Sequence, residues 1–479
     1  MPGAVAPVLW TASEVLAATG GHAMGPADWQ AYGVAIDSRT TQSGDLFVAI
    51  AGPNHDGHQF VADAIEAGAS AAIVADHFED PRAGIPLVRV SDPLEALRYL
   101  AATARERMQG TVIAVTGSVG KTGTKEALRS ALDRFKPTHA SAGSLNNHWG
   151  VPLSLARLPR DASFAVFEIG MNHAGEIGPL SRLVRPHAAI VTTVDVVHLE
   201  FFDSLADIAE AKAEIFEGLE AGGMAILNRD NTHYEQLAAA ADQAGVTRII
   251  AFGESDAADA RLIKASHNEH CTCISADICG QAMTYKVGAP GRHWVLNSLA
   301  VLATVNAVDG DLGLAGLALA DLSPTEGRGQ RTSVTTRDGT ILVIDESYNA
   351  SPASMRAAIE LLGATLVART GRRIAVLGDM LELGAESPAF HKELAPIIHA
   401  ASVDLVFCCG TNMKGLADAL SPAALGGWAD DSDALVNAVV AETRPDDVFI
   451  VKGSLGSRMA PIVQALKALD RQFQNANGG

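Results

Sequence analysis

The sequence predicts an α/β protein of three domains with largely parallel sheets. The chain has 479 residues, and at about 150 residues per domain this length allows three hydrophobic cores. Short apolar, β-branched runs alternate along the chain with segments of helical periodicity, as in doubly wound folds. Near residue 115, an apolar strand, a glycine-rich loop and a helix follow one another directly.

Composition excludes several classes of protein. Apolar residues make up 48% and charged residues 19% of the chain, as in a globular protein. No apolar run reaches the ~18 residues that span a bilayer, and the first ten residues lack the basic region of a signal peptide. We therefore expect a cytoplasmic protein without membrane insertion. The net charge of -19 argues against a nucleic-acid partner, and we expect the 5 cysteines to be free thiols of a reduced compartment.

The first domain is predicted to be a small α/β unit spanning residues 1–108. Strand-like runs lie at 34–36, 46–50, 71–74 and 87–90. The sequence Ser91-Asp92-Pro93 is a typical helix start and leads into a helical segment. Polar, glycine-rich loops at 37–41 and 52–58 separate these elements. Their residues alone do not distinguish a binding loop from a simple turn.

The second domain, residues 109–325, opens with TVIAVTGSVGKTGTKEALRSAL at 111–132. Glycines let backbone N–H groups close around an anion, the helix points its positive end at that anion, and a lysine and a hydroxyl complete a phosphate and Mg²⁺ site. We predict that Lys121 reaches the β- and γ-phosphates and that Thr122 binds the metal. Val115 stands where the general pattern has glycine, so the match is to the shorter form TGxxGKT. The alternative is a glycine-rich turn without a ligand.

Polar residues follow the other predicted strands of this domain. Glu168, His198 and Asp230 each come near the end of an apolar run, and ligands of open parallel sheets bind at the carboxyl ends of the strands. We expect these side chains to converge on the phosphate loop. The sequence thus predicts a parallel sheet of the phosphate-loop ATPase type.

Lys212 lies on the apolar face of a predicted helix at 205–219. The apolar stripe consists of Leu205, Ile208, Ile215 and Leu219, and Lys212 occupies the position between them. A lysine is therefore directed inward, towards the proposed metal site. The alternative is a side chain whose ammonium extends past the core into water.

The third domain, residues 326–479, is predicted to be a Rossmann-like, doubly wound sheet. Its strand-like runs lie at 341–344, 374–377, 405–408 and 448–451, with helical patterns between them. Polar loops follow these runs. No GxGxxG follows any of them, so a dinucleotide site is not supported.

Several motifs resemble those of the Mur ligases of bacterial peptidoglycan synthesis. The family-wide matches are TGSVGKTGTKE, NNHWGVPLSL, FEIGMNHAGEI, HLEFFDSLADIAEAKAEIF, GRHWVLNSLAVLA and EGRGQR. Narrower matches are DESYNASP, LGDMLELG, DSRTTQSGDLFVAIAG and DGHQF. These resemble the members that join D-alanyl-D-alanine to the terminal carboxylate of UDP-N-acetylmuramoyl-tripeptide. The resemblance covers nearly the full length of the chain.

The resemblance implies an ATP-dependent carbon–nitrogen ligase that forms ADP and phosphate by way of an acyl phosphate. It further implies two Mg²⁺ ions, a carbamate on Lys212 and small-molecule substrates, and we expect a monomer. Two alternatives remain open. One is a related ligase that adds a single amino acid, either another Mur ligase or a folylpolyglutamate synthetase. The other is a nucleotide-driven switch.

Site residues are assigned by position in these motifs. The residues expected to bind the nucleotide are Gly117, Ser118, Val119, Gly120, Lys121, Thr122, Asn297, Arg328, Asp345 and Asn349. The expected metal ligands are Thr122, Glu168, His198 and Lys212. The residues expected to face the UDP-sugar peptide or the dipeptide are Ser38, Arg39, Thr41, Asn146, Asn147, Lys452 and Ser454. The expected catalytic residues are Lys121, Lys212, His198 and Arg328.

Overall fold

The computed structural model describes residues 7–79, 84–268 and 271–477. The first unit begins at Trp10 and contains a two-stranded sheet of β1 and β3 beside its main sheet. The strands are β1 (Trp10–Thr11), β2 (His22–Met24), β3 (Gln30–Ala31), β4 (Gly33–Ala35), β5 (Asp45–Val48), β6 (Ala71–Ala75) and β7 (Leu87–Val90), and the helices are α1 (Ala12–Thr19), α2 (Val61–Glu66) and α3 (Pro93–Arg107). The main sheet has the order β2-β7-β6-β5-β4, with β2 antiparallel to its neighbour. Asp92 caps α3, as its sequence predicts.

The central sheet contains the phosphate loop. Its strands are β8 (Thr111–Thr116), β9 (Thr138–Ala140), β10 (Phe164–Glu168), β11 (Ala188–Val191), β12 (Met224–Asn228), β13 (Arg248–Gly253), β14 (Ala260–His267), β15 (Thr272–Ile278) and β16 (Gln281–Val287). Its helices are α4 (Lys121–Asp133), α5 (Gly150–Ala156), α6 (Ile177–Val184), α7 (Leu205–Ala213), α8 (Tyr234–Gln243), α9 (Arg292–Ala307) and α10 (Leu312–Ala320). The order is β16-β15-β14-β13-β12-β11-β8-β10-β9. Pairing is parallel from β9 to β14, whereas β14, β15 and β16 form an antiparallel extension.

The third sheet is doubly wound. Its strands are β17 (Gln330–Thr335), β18 (Thr340–Glu346), β19 (Arg373–Gly378), β20 (Leu405–Cys409), β21 (Leu425–Ala429) and β22 (Val448–Lys452). Its helices are α11 (Pro352–Ala364), α12 (Ser387–Lys392), α13 (Leu394–Ala400), α14 (Lys414–Ala419), α15 (Ser432–Ala441) and α16 (Ala460–Asn477). The order is β17-β18-β22-β19-β20-β21, with β17 antiparallel to β18.

Short 3₁₀ helices occur in several of the loops. They are Ser38–Thr40, Gly57–Phe60, Leu199–Phe201, Glu214–Gly218, Gly384–Glu386 and Leu455–Ser457. The cysteines are free thiols, as predicted. Within the described ranges, no helix is both long and apolar enough to cross a membrane.

The first and central units share one apolar core. Trp10 and Leu100 of the first unit belong to the same buried cluster as Val151 and Leu155 of the central unit. Hydrogen bonds also cross the boundary between the two units. In one of them, the Trp10 indole N–H donates to the Ala156 carbonyl at 2.8 Å. The third unit instead has its own buried clusters on the two faces of its sheet. The first two units therefore pack as one body, to which the third is attached.

The predicted fold class, three α/β units with parallel sheets, is confirmed. The strands of the three units lie between residues 10 and 90, 111 and 287, and 330 and 452. The domain borders at 108 and 325 stay a prediction.

Candidate active site

The phosphate loop is an open cradle between β8 and α4. Gly117 and Gly120 adopt φ angles of 144° and 88°, which side-chain-bearing residues rarely adopt. A Cβ at Gly117 would lie 1.9 Å from the Thr192 hydroxyl oxygen, so a larger residue does not fit there. No side chain caps the first turn of α4. Its N–H groups are thus directed at the loop, as an anion requires.

Lys121 lies over this loop. Its ammonium donates to the Gly117 carbonyl at 2.6 Å and to the Ser118 carbonyl at 3.4 Å. Burial lowers the pKa of Lys121, the Glu168 carboxylate opposes this shift, and Arg328 adds to it. The charges of Glu168 and Arg328 therefore both lie close to Lys121. A phosphate in the cradle would meet two cations, one from the central unit and one from the third.

Thr122 and Glu168 form a buried pair beside the lysine. The Thr122 hydroxyl donates to one Glu168 oxygen at 2.8 Å, and the Asn146 amide donates to the other at 2.7 Å. Glu168 is only 1% exposed, yet no described residue forms a salt bridge with it. Lys121 lies close to Glu168 without forming a salt bridge with it, so this buried carboxylate is costly. A hydroxyl and a carboxylate are typical Mg²⁺ ligands. These residues fit a metal ion.

Lys212 points into the protein, as its helical position predicts. It is 2% exposed and lies between the fully buried Ile208 and Ile215. Its ammonium has no hydrogen-bond partner among the described residues. Burial lowers the pKa of Lys212 well below its ordinary value, and the charge of Lys121 adds to this shift. The environment therefore favours the neutral amine.

His198 lies close enough to Lys121 and Lys212 for their charges to act on it. Burial lowers its pKa, Glu382 of the third unit opposes this shift, and Lys121 and Lys212 add to it. Within the described ranges, no group of three or more His, Cys, Asp or Glu side chains could hold a metal. The expected metal site thus depends also on Thr122 and on a modified Lys212.

The nucleotide side of the loop is formed by α9 and by the third unit. A Cβ at Gly120 would lie 3.0 Å from the Asn297 side chain, so Asn297 of α9 lies against the loop. Arg328 stacks on the Tyr348 ring at 4.0 Å, and the Tyr348 hydroxyl is hydrogen-bonded to Ser144 of the central unit. Tyr348 therefore holds Arg328 in place and joins the two units.

Asp345 supports the loop that carries Arg328, and Asn349 lies in the loop before α11. The buried Asp345 carboxylate accepts hydrogen bonds from the Gly327 N–H at 3.1 Å and from the Ser347 hydroxyl at 2.6 Å. The Asn349 side-chain oxygen accepts from the Ala350 N–H at 2.9 Å. Their role in binding the nucleotide stays a prediction.

A polar cluster of Glu346, Lys452 and Ser454 lies at the carboxyl ends of β18 and β22. The Lys452 ammonium donates to the Asn349 carbonyl at 2.9 Å and to the Glu346 carboxylate at 3.4 Å. Burial lowers the pKa of Lys452, and the negative charge of Glu346 opposes this shift. The Ser454 hydroxyl oxygen accepts from the Leu381 N–H at 3.0 Å. Both residues expected to face the dipeptide thus lie on one edge.

The residues expected to face the UDP-sugar lie after β4, in the first unit. Ser38 starts a 3₁₀ turn, and the exposed Arg39 guanidinium pairs with Asp37 at 2.6 Å. The Thr41 hydroxyl donates to the Asp37 carbonyl at 3.0 Å. None of the described hydrogen bonds joins these residues to the phosphate loop.

The segment around Asn147 connects this first unit to the central site. A Cβ at Gly52 would lie 2.7 Å from the Trp149 ring, so the 52–57 loop packs on this segment. The Asn147 side-chain oxygen accepts from the Trp149 and Gly150 N–H groups at 3.1 and 2.9 Å and thereby shapes the start of α5. Substrate binding by Asn147 stays a prediction.

The expectation that Asp230 converges on the phosphate loop is wrong. Its carboxylate accepts from the Glu254 N–H at 2.6 Å and from the Ser255 N–H at 2.9 Å. Asp230 therefore holds the turn after β13.

Family comparisons agree with this geometry. The profiles that match describe the Mur ligase family catalytic domain at residues 30–105, the Mur ligase middle domain at 115–305 and the Mur ligase glutamate ligase domain at 328–455. The chain belongs to the Mur ligase family. It is an ATP-dependent ligase, and the predicted family and enzyme class are confirmed.

This Mur ligase is similar to characterised members over almost its whole length. It is 35% identical over 441 residues to the UDP-N-acetylmuramoyl-tripeptide–D-alanyl-D-alanine ligase of Escherichia coli, covering 91% of this chain and 93% of the relative. MurF from Acinetobacter baumannii superposes with a TM-score of 0.82 at 30% identity, covering 96% and 98% of the two chains. MurF ligase from Thermotoga maritima, solved in complex with ADP, superposes with a TM-score of 0.76 at 26% identity, covering 92% and 98%.

Three residues of this Mur ligase's site were not assigned from the sequence: Ser144, Tyr348 and Glu382. The last two lie in the DESYNASP and LGDMLELG motifs, so the signal was present. Their partners lie in the central unit. Only the placement of the third unit against the central one reveals these pairs.

We expect the third unit of this Mur ligase to move when ligands bind. Lys121 and Asn297 belong to the central unit and Asp345 to the third, and the described side-chain hydrogen bonds between these units are few. Small-angle scattering with and without ATP and both substrates should show a smaller radius of gyration in the liganded protein. An unchanged radius would remove the support for closure.

Proposed function

We propose that this Mur ligase joins D-alanyl-D-alanine to the terminal carboxylate of UDP-N-acetylmuramoyl-tripeptide, acting as a monomer in the cytoplasm. One observation supports this most directly. Lys121, the buried Thr122–Glu168 pair and Arg328 lie together, beside the polar cluster of Lys452 and Ser454. The relatives that align over about nine tenths of the chain carry this activity in their names.

The residue types suit amide formation through an acyl phosphate. The substrate carboxylate attacks the γ-phosphorus of ATP, the bond to the bridging oxygen breaks, and ADP leaves. The free amine of the dipeptide then attacks the acyl carbon, loses a proton, and phosphate leaves. Lys121 and Arg328 would together neutralise charge on the transferring group. No protein nucleophile is required.

Magnesium would be held by Thr122, Glu168, His198 and Lys212. It would neutralise charge on the phosphoryl oxygens. An ammonium at Lys212 would repel a cation, whereas its neutral amine can react with CO₂ to give a carbamate. The carbamate oxygens match the oxygen ligands that Mg²⁺ prefers. The buried, unpartnered state of Lys212 supports this modification.

An acceptor screen tests the proposed function. With ATP, Mg²⁺ and a UDP-N-acetylmuramoyl-tripeptide, D-alanyl-D-alanine should stimulate phosphate release, and single amino acids should not. Mass spectrometry should show the tripeptide product extended by two alanine residues. Running the screen with tripeptides ending in lysine or in meso-diaminopimelate identifies the preferred substrate.

Two results would contradict the proposal. Stimulation by a single amino acid but not by the dipeptide would indicate a different member of the family. Full ATP hydrolysis without carboxylate and amine substrates would indicate a nucleotide-driven switch. Size-exclusion chromatography with light scattering tests the monomer.

A further inference from the structure

His198 and Glu382 form a direct link between the central and third units. The His198 Nδ1 and the Glu382 carboxylate oxygen Oε2 are 2.5 Å apart. The Glu382 backbone carbonyl accepts a second hydrogen bond, from the Glu200 N–H at 3.2 Å. The side chains are 22% and 41% exposed, respectively. Glu382 thus holds the segment after His198 by its backbone and the imidazole by its side chain.

Both residues adopt an unusual backbone conformation. His198 has φ = 57° and Glu382 has φ = 62°, in the left-handed region that residues with side chains rarely occupy. Such conformations persist where surrounding contacts fix them, and they cluster at functional sites. Here each turns its side chain towards the other unit.

The loop that carries Glu382 is fixed to the third unit on several sides. The Met380 N–H donates to Nε2 of the buried His391 at 2.9 Å. The Leu381 N–H donates to Ser454, in the polar cluster expected to face the dipeptide. Asp379 accepts from the Met413 N–H at 2.8 Å. The position of the Glu382 carboxylate is therefore set by the third unit and is linked to that cluster.

We propose that Glu382 is a positioning residue that accepts the Nδ1–H of His198 and so directs the unprotonated Nε2 at the metal site. Metal-binding histidines usually donate their other N–H to a carboxylate, which fixes the tautomer and the orientation of the ring. Because this carboxylate belongs to the third unit, the metal site is complete only when that unit is docked. The proposal rests on the proposed function in taking His198 as a metal ligand.

Nitrogen-15 spectra of the full chain, labelled at histidine, test this proposal with Mn²⁺ as the probe. His198→Gln identifies the His198 signals. In the wild type, Nδ1 should be protonated and Nε2 should not, and Mn²⁺ should broaden the signals. In Glu382→Ala both neutral tautomers of His198 should be populated. About tenfold more Mn²⁺ should be needed to broaden the His198 signals to the same extent. Glu382→Gln should keep part of the wild-type tautomer preference, because its amide oxygen still accepts a hydrogen bond.

Glu200→Gln is the matched control. Glu200 contacts Glu382 through its backbone, and its side-chain carboxylate has no partner among the described residues. The spectra of Glu200→Gln should therefore match those of the wild type. Unchanged tautomer and Mn²⁺ dependence in Glu382→Ala would overturn the positioning role, as would a doubly protonated ring in the wild type. Absence of any Mn²⁺ effect on wild-type His198 would instead remove His198 from the metal site. Ligation in the acceptor screen would be untouched by that result, so the two failures are distinguishable.

Discussion

Lys121→Ala is expected to abolish ligation while leaving the fold intact. The Lys121 ammonium already lies on the Gly117 carbonyl, over the loop, and it would neutralise charge on the β- and γ-phosphates. Its stem contributes little to the core, because the residue is half-buried at the start of α4. Ligation should be measured at saturating ATP, and circular dichroism should show an unchanged fold.

A matched control for this substitution lies just beyond the same helix. Lys136 is exposed and its ammonium has no partner among the described residues, so Lys136→Ala should keep full activity. If Lys121→Ala retains more than about a tenth of wild-type turnover, the substitution raises the activation free energy by less than ~1.4 kcal/mol. That result would contradict the assignment of Lys121 to the phosphates.

Lys212→Ala is expected to be severely impaired and to regain part of its activity with acetate. The variant removes the amine that would form the carbamate, and a small carboxylic acid fits the vacated space and supplies oxygen ligands. Titration of ligase activity with acetate measures the rescue. Lys212→Arg should not be rescued, because its permanent charge stays in the site.

Glu210→Ala controls for damage to the same helix. Glu210 lies on the exposed face of α7, so its removal should leave activity and acetate dependence unchanged. Full activity of Lys212→Ala would show that the lysine does not take part in metal binding. The second Mg²⁺ would then need other ligands.

Fold elements with strong local patterns could be predicted from the sequence. The apolar run at 87–90 coincides with β7, and the Asp92-Pro93 start gives α3. The antiparallel extension β14 to β16 was not predicted. Its first strand, β14, exposes Ile263 and Lys264, and a half-exposed strand lacks the continuous apolar run of a buried central strand.

Site residues were predictable where neighbouring strands place them. Glu168 ends β10, next to β8 and the phosphate loop, so its approach to Thr122 follows from sheet topology. Helical spacing placed Lys212 inward for a similar reason. The pairs between His198 and Glu382 and between Ser144 and Tyr348 depend on how two units dock, which no local pattern encodes. The strand-end rule misleads for Asp230. Its carboxylate accepts backbone hydrogen bonds from the turn after β13 and does not extend to the phosphate loop.

The core shared by the first and central units has a consequence for dissecting the enzyme. An isolated first unit would expose Trp10 and the face of α3 that packs on α5, and large exposed apolar patches favour aggregation. Truncation at about residue 325 keeps that core whole, since the third unit's clusters draw little from the rest of the chain. The smallest fragment suited to measuring the proposed UDP-sugar binding by itself therefore contains both of the first two units.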